Sequence, residues 1–203
     1  MKVELLAITP NAEELIEIAA RECYQSEPNG NVGDLISKLL KQDPPHESVL
    51  EHAYVTFRFS EVSRAFSHQL VRHRLCSFSQ QSQRYVKESQ FDFVIPPSIN
   101  ELTHKEGIDH NGEFINDMSV IQQMYNKWKA LGLKNEDARF VLPNACYTSI
   151  IMSGNFRQIR HVITMRADKH AQWEIRNAIL EVLQIMYNNA PHTFEDLKLK
   201  FIG

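Results

Sequence analysis

Apolar and polar positions alternate most clearly over residues 53–60, where Ala53, Val55, Phe57 and Phe59 interleave with Tyr54, Thr56, Arg58 and Ser60. A period of two in β-branched and aromatic residues predicts a strand with one buried face. Residues 2–9 form a second predicted strand, with Val3, Leu5, Ala7 and Thr9 on one side, Glu4, Leu6 and Ile8 on the other, and Pro10 as its boundary. Residues 145–152 read as a third, and Phe91, Phe93 and Ile95 alternate toward Pro96-Pro97. Elsewhere the spacing becomes helical. Asn11 is the predicted N-cap of a helix at 12–23, with Glu13 and Glu14 in its first turn and Leu15, Ile18, Ala19 and Cys23 as its buried stripe. After turn chemistry at Glu27-Pro28-Asn29-Gly30-Asn31, a helix near 33–42 presents Leu35, Ile36, Leu39 and Leu40 and stops at Asp43-Pro44-Pro45. Ser60, with Glu61 behind it, is expected to cap a helix that carries Val62, Ala65, Phe66 and Leu70 and delivers Gln69, Arg72, His73 and Arg74. Residues 98–112 are charged and glycine-punctuated, and a loop is predicted there. Helical periodicity returns at 113–131 through Phe114, Met118, Ile121, Met124, Tyr125 and Trp128, closed by Gly132. A short helix spans 135–142 before Pro143, another begins near Phe156 after Ser153-Gly154-Asn155, and Ala171, Ile175, Ala178, Ile179, Val182, Leu183 and Met186 form the stripe of a last long helix.

These elements predict an α/β chain of the α+β type, a single domain over residues 1–203 with a mainly antiparallel sheet flanked by helices. The formal charge of −3 argues against non-specific nucleic-acid binding, which needs a broad basic face, and disfavours a helix-turn-helix role for 61–74. No apolar run approaches the roughly 18 residues that span a bilayer, and Met1-Lys2-Val3-Glu4 leads into a strand, so no membrane and a cytoplasmic location are expected. Cys23, Cys76 and Cys146 are too scattered for a disulfide framework or a zinc ribbon and read as reduced thiols. His46-Glu47 and His52 do not make a zinc-protease helix, because Leu50 stands where the second histidine belongs; no metal is expected.

The candidate chemistry lies in Arg72-His73-Arg74-Leu75-Cys76-Ser77-Phe78-Ser79-Gln80-Gln81-Ser82-Gln83-Arg84-Tyr85. A local basic knot on an acidic chain suits an anion, because guanidinium forks match phosphate or carboxylate oxygens and neutral side chains add orientation. The same arginines could instead decorate a helix C-terminus, where cations are favoured. His46 to His52 is either an exposed polar turn or one turn lining a site, and Arg139 either snorkels or aims into a polar pocket. Ser82 lies in Gln-Ser-Gln with no base fixed beside it, so it reads as a ligand-binding hydroxyl and not a nucleophile.

Arg-His-Arg, seven residues and then Ser82, followed by Arg84-Tyr85, resembles the signature of the flavin-dependent thymidylate synthases. Similar family segments recur in order at His46-Glu47-Ser48-Val49-Leu50-Glu51-His52, Ala138-Arg139-Phe140-Val141-Leu142-Pro143, Asn155-x-Arg157-x-x-x-His161 and Arg166 to Arg176. The resemblance implies FAD bound by His46, Ser48, Glu51, Arg72, His73, Arg74, Gln80, Asn155, Arg157 and His161. It implies dUMP held by Gln69, Arg72, Gln80, Gln81, Ser82, Gln83, Arg84 and Arg139, with Arg166 at the pyrimidine as the catalytic group. Methylenetetrahydrofolate as carbon donor, NADPH as reductant, a homotetramer with sites between subunits and no enzyme cysteine nucleophile follow from the same resemblance. Gln80 departs from family members that have glutamate there, which puts an acid–base role at that position in doubt. The competing class is a flavin- or nucleotide-binding protein without turnover.

Overall fold

The computed structural model describes residues 1–23, 25–28 and 31–203, so the turn predicted at 27–31 lies partly outside the described residues. The fold is α+β: a four-stranded antiparallel sheet in the order β1-β2-β4-β3, formed by β1 (Lys2–Ile8), β2 (Tyr54–Ser63), β3 (Ser77–Gln80) and β4 (Tyr147–Asn155), with helices around it. The chain clusters into two compact units, one of residues 1–59, 70–79 and 151–203, the other of 60–69 and 80–150.

In the first unit the period-two pattern is realised: Ala53, Val55, Phe57 and Phe59 are fully buried, while the residues between them are not. Helix α1 (Ala12–Glu22) departs from its expected face. Ala12, Glu13, Ile16, Glu17 and Ala20 are buried, and Ile18 and Cys23 are exposed. Two carboxylates sit on the inner face because each has a donor: the Glu13 Oε1 accepts from the Thr193 backbone N–H at 2.7 Å and hydroxyl at 2.9 Å, and Glu17 accepts from Arg21 at 2.7 Å. A pattern that assigns acids to water misses buried acids that are paired. Asn11 adopts a left-handed conformation and makes no side-chain cap. In α2 (Val32–Leu40) Ile36 and Leu39 are the buried residues. Helices α7 (Phe156–Arg166), α8 (Trp173–Asn189) and α9 (Pro191–Phe201) complete the unit. The predicted stripe of α8 is buried from Ile175 to Met186, and α9, which no sequence pattern announced, packs along it and seals Phe156 through an edge contact with Phe194 at 5.5 Å.

The second unit corrects three expectations. Strand β2 runs through Ser60, so the helix cap moves to Ser63, whose hydroxyl accepts from the Phe66 N–H at 2.9 Å; helix α3 (Arg64–Leu70) then ends before Arg72. Residues 98–112 are not a loop: Pro97 opens α4 (Pro97–Glu106), Gly107 ends it at φ 70°, and Asp109 caps α5 (His110–Ala130). Proline at a first helical position and glycine at the C-cap are helix signals that charge density obscured. The short helix is divided, with α6 at Asn135–Ala138 and a tighter turn at Arg139–Val141. Phe91, Met118 and Cys146 form the local core with Phe93, Phe114 and Ile121 against them.

Tyr125, fully buried on α5, accepts the Glu88 backbone N–H on its hydroxyl at 3.3 Å. Tyr125→Phe strands that buried donor and should cost about 1–3 kcal/mol, at about 2–4 °C of Tm per kcal/mol for a chain of this size. Calorimetry checks it; an unchanged Tm would show that the bond contributes nothing.

Candidate active site

Leu70 ends α3, and the backbone then folds tightly: the His73 N–H donates to the Leu70 carbonyl, Arg74 to Arg72, and Cys76 to His73. Cys76 is buried, and a Cβ on Gly154 would lie only 3.0 Å from its sulfur, so the glycine allows the turn to press against the end of β4. There Asn155 closes the strand and caps α7, its Oδ1 accepting from the Gln158 N–H at 2.8 Å, while the Phe156 N–H donates to the Ala53 carbonyl. These contacts bring segments 78 residues (Cys76 to Gly154) and 103 residues (Ala53 to Phe156) apart in sequence onto one wall. A cavity of about 530 Å³ opens there, lined by Glu47, Glu51, Leu75, Asn155, Arg157, Gln158 and His161.

The middle residue of the basic turn points inward. His73 is buried, its Nε2 accepts from the Arg166 Nε–H at 3.0 Å, and the His161 ring stands edge-on at 6.0 Å. Burial, then the Arg166 charge, then His161 lower the His73 pKa to about 4. Near neutral pH the imidazole is therefore uncharged, with its proton on Nδ1, and it acts as the acceptor that orients the guanidinium. Burial, with Arg72 second, also lowers the pKa of Arg166, which still keeps its charge.

Arg72 and Arg74 are exposed, and neither has an acidic partner among the described residues. Arg157 differs: its Nη1 meets Glu51 Oε1 at 2.6 Å, and its Nε stands 3.8 Å from Glu47. Asn155 spends its oxygen on the helix cap, leaving its amide N–H groups on the cavity wall. Two uncompensated guanidinium groups, a wall of amide and imidazole, and Leu75 beside them suit a ligand that carries phosphate on an aromatic or apolar body. That donor set fits a flavin dinucleotide.

Of the predicted cofactor residues, Glu51, Asn155, Arg157 and His161 line the cavity, and Arg72, His73 and Arg74 form the turn that Leu75 continues. His46 and Ser48 are exposed and do not line it; Glu47, which sequence reasoning passed over, does. Its signal was its place in the polar turn, four residues before Glu51.

The predicted substrate residues fall in the second unit, apart from Arg72 and Arg166. Gln80 donates to the Ser67 hydroxyl at 2.7 Å and the Thr148 hydroxyl at 3.2 Å, and Gln69 to the Ala65 carbonyl at 3.5 Å. Gln81 approaches Glu88 at 3.4 Å and lines a separate cavity of about 380 Å³. Gln83 is buried with its amide 3.7 Å from the Cys146 sulfur, and with Arg139, Arg64 and His68 it lines a cavity of about 250 Å³. The Ser82 hydroxyl accepts from the Arg84 N–H at 3.3 Å, Arg84 pairs with Glu136 at 3.1 Å, and Arg139 Nε donates to the Glu136 carbonyl.

A family model described as thymidylate synthase complementing protein matches residues 4–192. A flavin-dependent thymidylate synthase of Geobacter sulfurreducens is 40% identical over 211 residues, covering 97% of this chain and 86% of its own. The chain belongs to the flavin-dependent thymidylate synthase family. Relatives carrying the same name in Clostridium tetani, 38% identical with 96% of this chain and 86% of theirs covered, and in Nitratidesulfovibrio vulgaris, 40% identical with 90% and 80% covered, agree. Among the described residues no helix is long and apolar enough to cross a membrane, and no cluster of three potential ligands could hold a metal.

The depressed pKa of His73 has a signed consequence. A free imidazole binds a proton below about 6.5, whereas His73 resists it until about 4. In that window the unfolded chain holds more protons, so the stability His73 contributes is complete above about 6.5 and is lost as pH falls toward 4. Imidazole NMR should show His73 protonated on Nδ1 at pH 7, and Arg166→Ala should raise its pKa. A His73 titrating near 6.5 in the wild type would contradict this.

Proposed function

We propose that the protein is an FAD-dependent thymidylate synthase that reductively methylates dUMP to dTMP, with methylenetetrahydrofolate as one-carbon donor and NADPH as reductant. The observation that carries it is the basic turn: a neutral His73 holding Arg166, between two arginines with no acidic partner, leading into the Leu75–Asn155–His161 wall. In this proposal Arg72, Arg74, Asn155, Arg157 and His161 hold the cofactor, with His46, Ser48, Glu51, His73 and Gln80 contributing around them. Bound there, FAD supplies the hydride that completes the methyl group. Gln69, Arg72, Gln80, Gln81, Ser82, Gln83, Arg84 and Arg139 bind the nucleotide, the arginines taking its phosphate.

Arg166 has the central electrostatic task. C5 of uracil must act as a nucleophile to accept the one-carbon unit, and the negative charge on the ring oxygens and N3 that makes it one needs a permanent, oriented cation. His73 supports that role by fixing Arg166 through Nε, which sets the plane in which the fork faces a ring. The cysteines support a mechanism without a thiol nucleophile. Burial raises Cys76 to about 11 and Cys146 to about 12, so both stay thiols near neutral pH. Residues 1–203 would serve as one functional domain in a cytoplasmic homotetramer whose sites lie between subunits. In support, groups such as Leu75 and Phe140 are left broadly exposed on the single chain.

Arg166→Ala should lower dTMP formation about a hundred- to thousandfold, equivalent to about 3–4 kcal/mol, while FAD binding and NADPH oxidation without dUMP persist. Arg166→Lys should recover part of the loss. Wild-type rates in Arg166→Ala would remove the residue from the mechanism. Arg74→Ala should weaken FAD uptake, read from the flavin absorbance, and sedimentation should report about four chains; a fully active monomer would refute the shared site.

A further inference from the structure

One charged group on the cavity wall is governed from outside the cavity. Arg160, on α7 one turn after Arg157, is buried with 8% of its side chain exposed, and each of its three guanidinium nitrogens donates at least one hydrogen bond. Nη1 and Nη2 meet the two carboxylate oxygens of Asp196 at 2.7 Å each, Nη1 also donates to the Thr193 carbonyl, and Nε donates to Glu47 Oε1 at 3.3 Å. Glu47 presents its other oxygen to Arg157 Nε at 3.8 Å, and Arg157 reaches Glu51 at 2.6 Å. Charges thus alternate along Asp196, Arg160, Glu47, Arg157 and Glu51, running from α9 to the cavity. Glu47 is the shared member: two arginines compete for it, and its position depends on how far each is satisfied elsewhere. Asp196 satisfies one of them with a bidentate pair, the strongest geometry a carboxylate offers. Burial opposes charge on both partners, yet the pairing keeps Arg160 more basic and Asp196 more acidic than usual.

We propose that Asp196 is a positioning residue for the cavity: by occupying the Arg160 fork it leaves Glu47 shared with Arg157, and so holds Arg157 in the wall where an anionic ligand is received. Asp196 lies on α9, beyond residues 4–192, the span that the family model matches. Without the Asp196 charge, Arg160 keeps Glu47 as its sole carboxylate partner and draws it inward. Arg157 then keeps only the exposed Glu51 contact, whose restraint is weak.

The inference rests on the flavin reading of the cavity, and two readouts separate their failures. In the apo protein, Asp196→Asn should shift the Arg157 Nε–H resonance and speed its exchange with water, although Asp196 does not touch Arg157. In FAD titrations followed by flavin fluorescence, Asp196→Asn should weaken binding about tenfold in the wild-type background and less than about twofold in Arg157→Ala, since residues coupled through one network are non-additive. Asp196→Glu, which restores the charge, should recover part of the affinity and stands in if Asp196→Asn does not fold. Glu13→Ala loosens the other anchor of α9, at Thr193, and should lower Tm without changing the Kd for FAD. Equal losses of affinity from Asp196→Asn with and without Arg157, an unmoved Arg157 resonance, or the same loss from Glu13→Ala would overturn the proposal. A wild-type protein that takes up no FAD refutes the flavin reading instead, and the Arg157 resonance then decides the positioning role alone.

Discussion

An imidazole that must stay neutral is the constraint on which the cavity wall depends. His73 and Arg166 are in hydrogen-bond contact, and two cations so close inside a partly dry site would repel strongly. Because arginine does not give up its proton, histidine does, and the contact becomes a donor–acceptor bond with one allowed direction. That direction fixes the imidazole tautomer, backbone hydrogen bonds hold the turn through 70–76, and the turn leaves the arginines on either side of His73 exposed. Replacing the imidazole by a permanent cation would remove the acceptor and add charge, so the alternation of outward, inward and outward side chains in Arg-His-Arg is a physical requirement of this geometry.

The arginines fall into two electrical classes. Arg157 and Arg160 are matched to carboxylates, while Arg72 and Arg74 are matched to none among the described residues. Matched cations hold structure at little net gain, since the desolvation of both partners is offset by their pairing. Unmatched cations keep their full field for a ligand. The slightly acidic total of the chain is thus compatible with a locally anion-seeking surface.

Much of this was legible in the sequence where one rule dominated. The 53–59 alternation, the α8 stripe, the start of α7 at Phe156 and the closure of α5 before Gly132 (φ 91°) each follow from a single periodicity or a single conformational preference. Asn155, Arg157 and His161, which the structure places on one cavity wall, were singled out through the resemblance to a family pattern, since charge and spacing alone left the basic cluster open to a surface role. The failures came where two rules competed. Glu13 and Glu17 face inward because Thr193 and Arg21 supply donors that no local window contains. Ser60 and Ser63 both suit a cap, and strand pairing beyond Ser60, through a left-handed Glu61, favours the later one. Helix α4 hid under charge, and no element was predicted over α9, so Arg160 and Asp196 could not be paired from a distance of 36 residues.

The contact between Cys76 and Gly154 gives the protein an internal clock. A thiol pressed against a chain segment and held as S–H is inert to alkylating reagents until its surroundings part, whereas Cys23 lies open to solvent. The ratio of the two labelling rates therefore measures how often the basic turn lifts from the end of β4, using no probe but the sulfur atoms the sequence already carries.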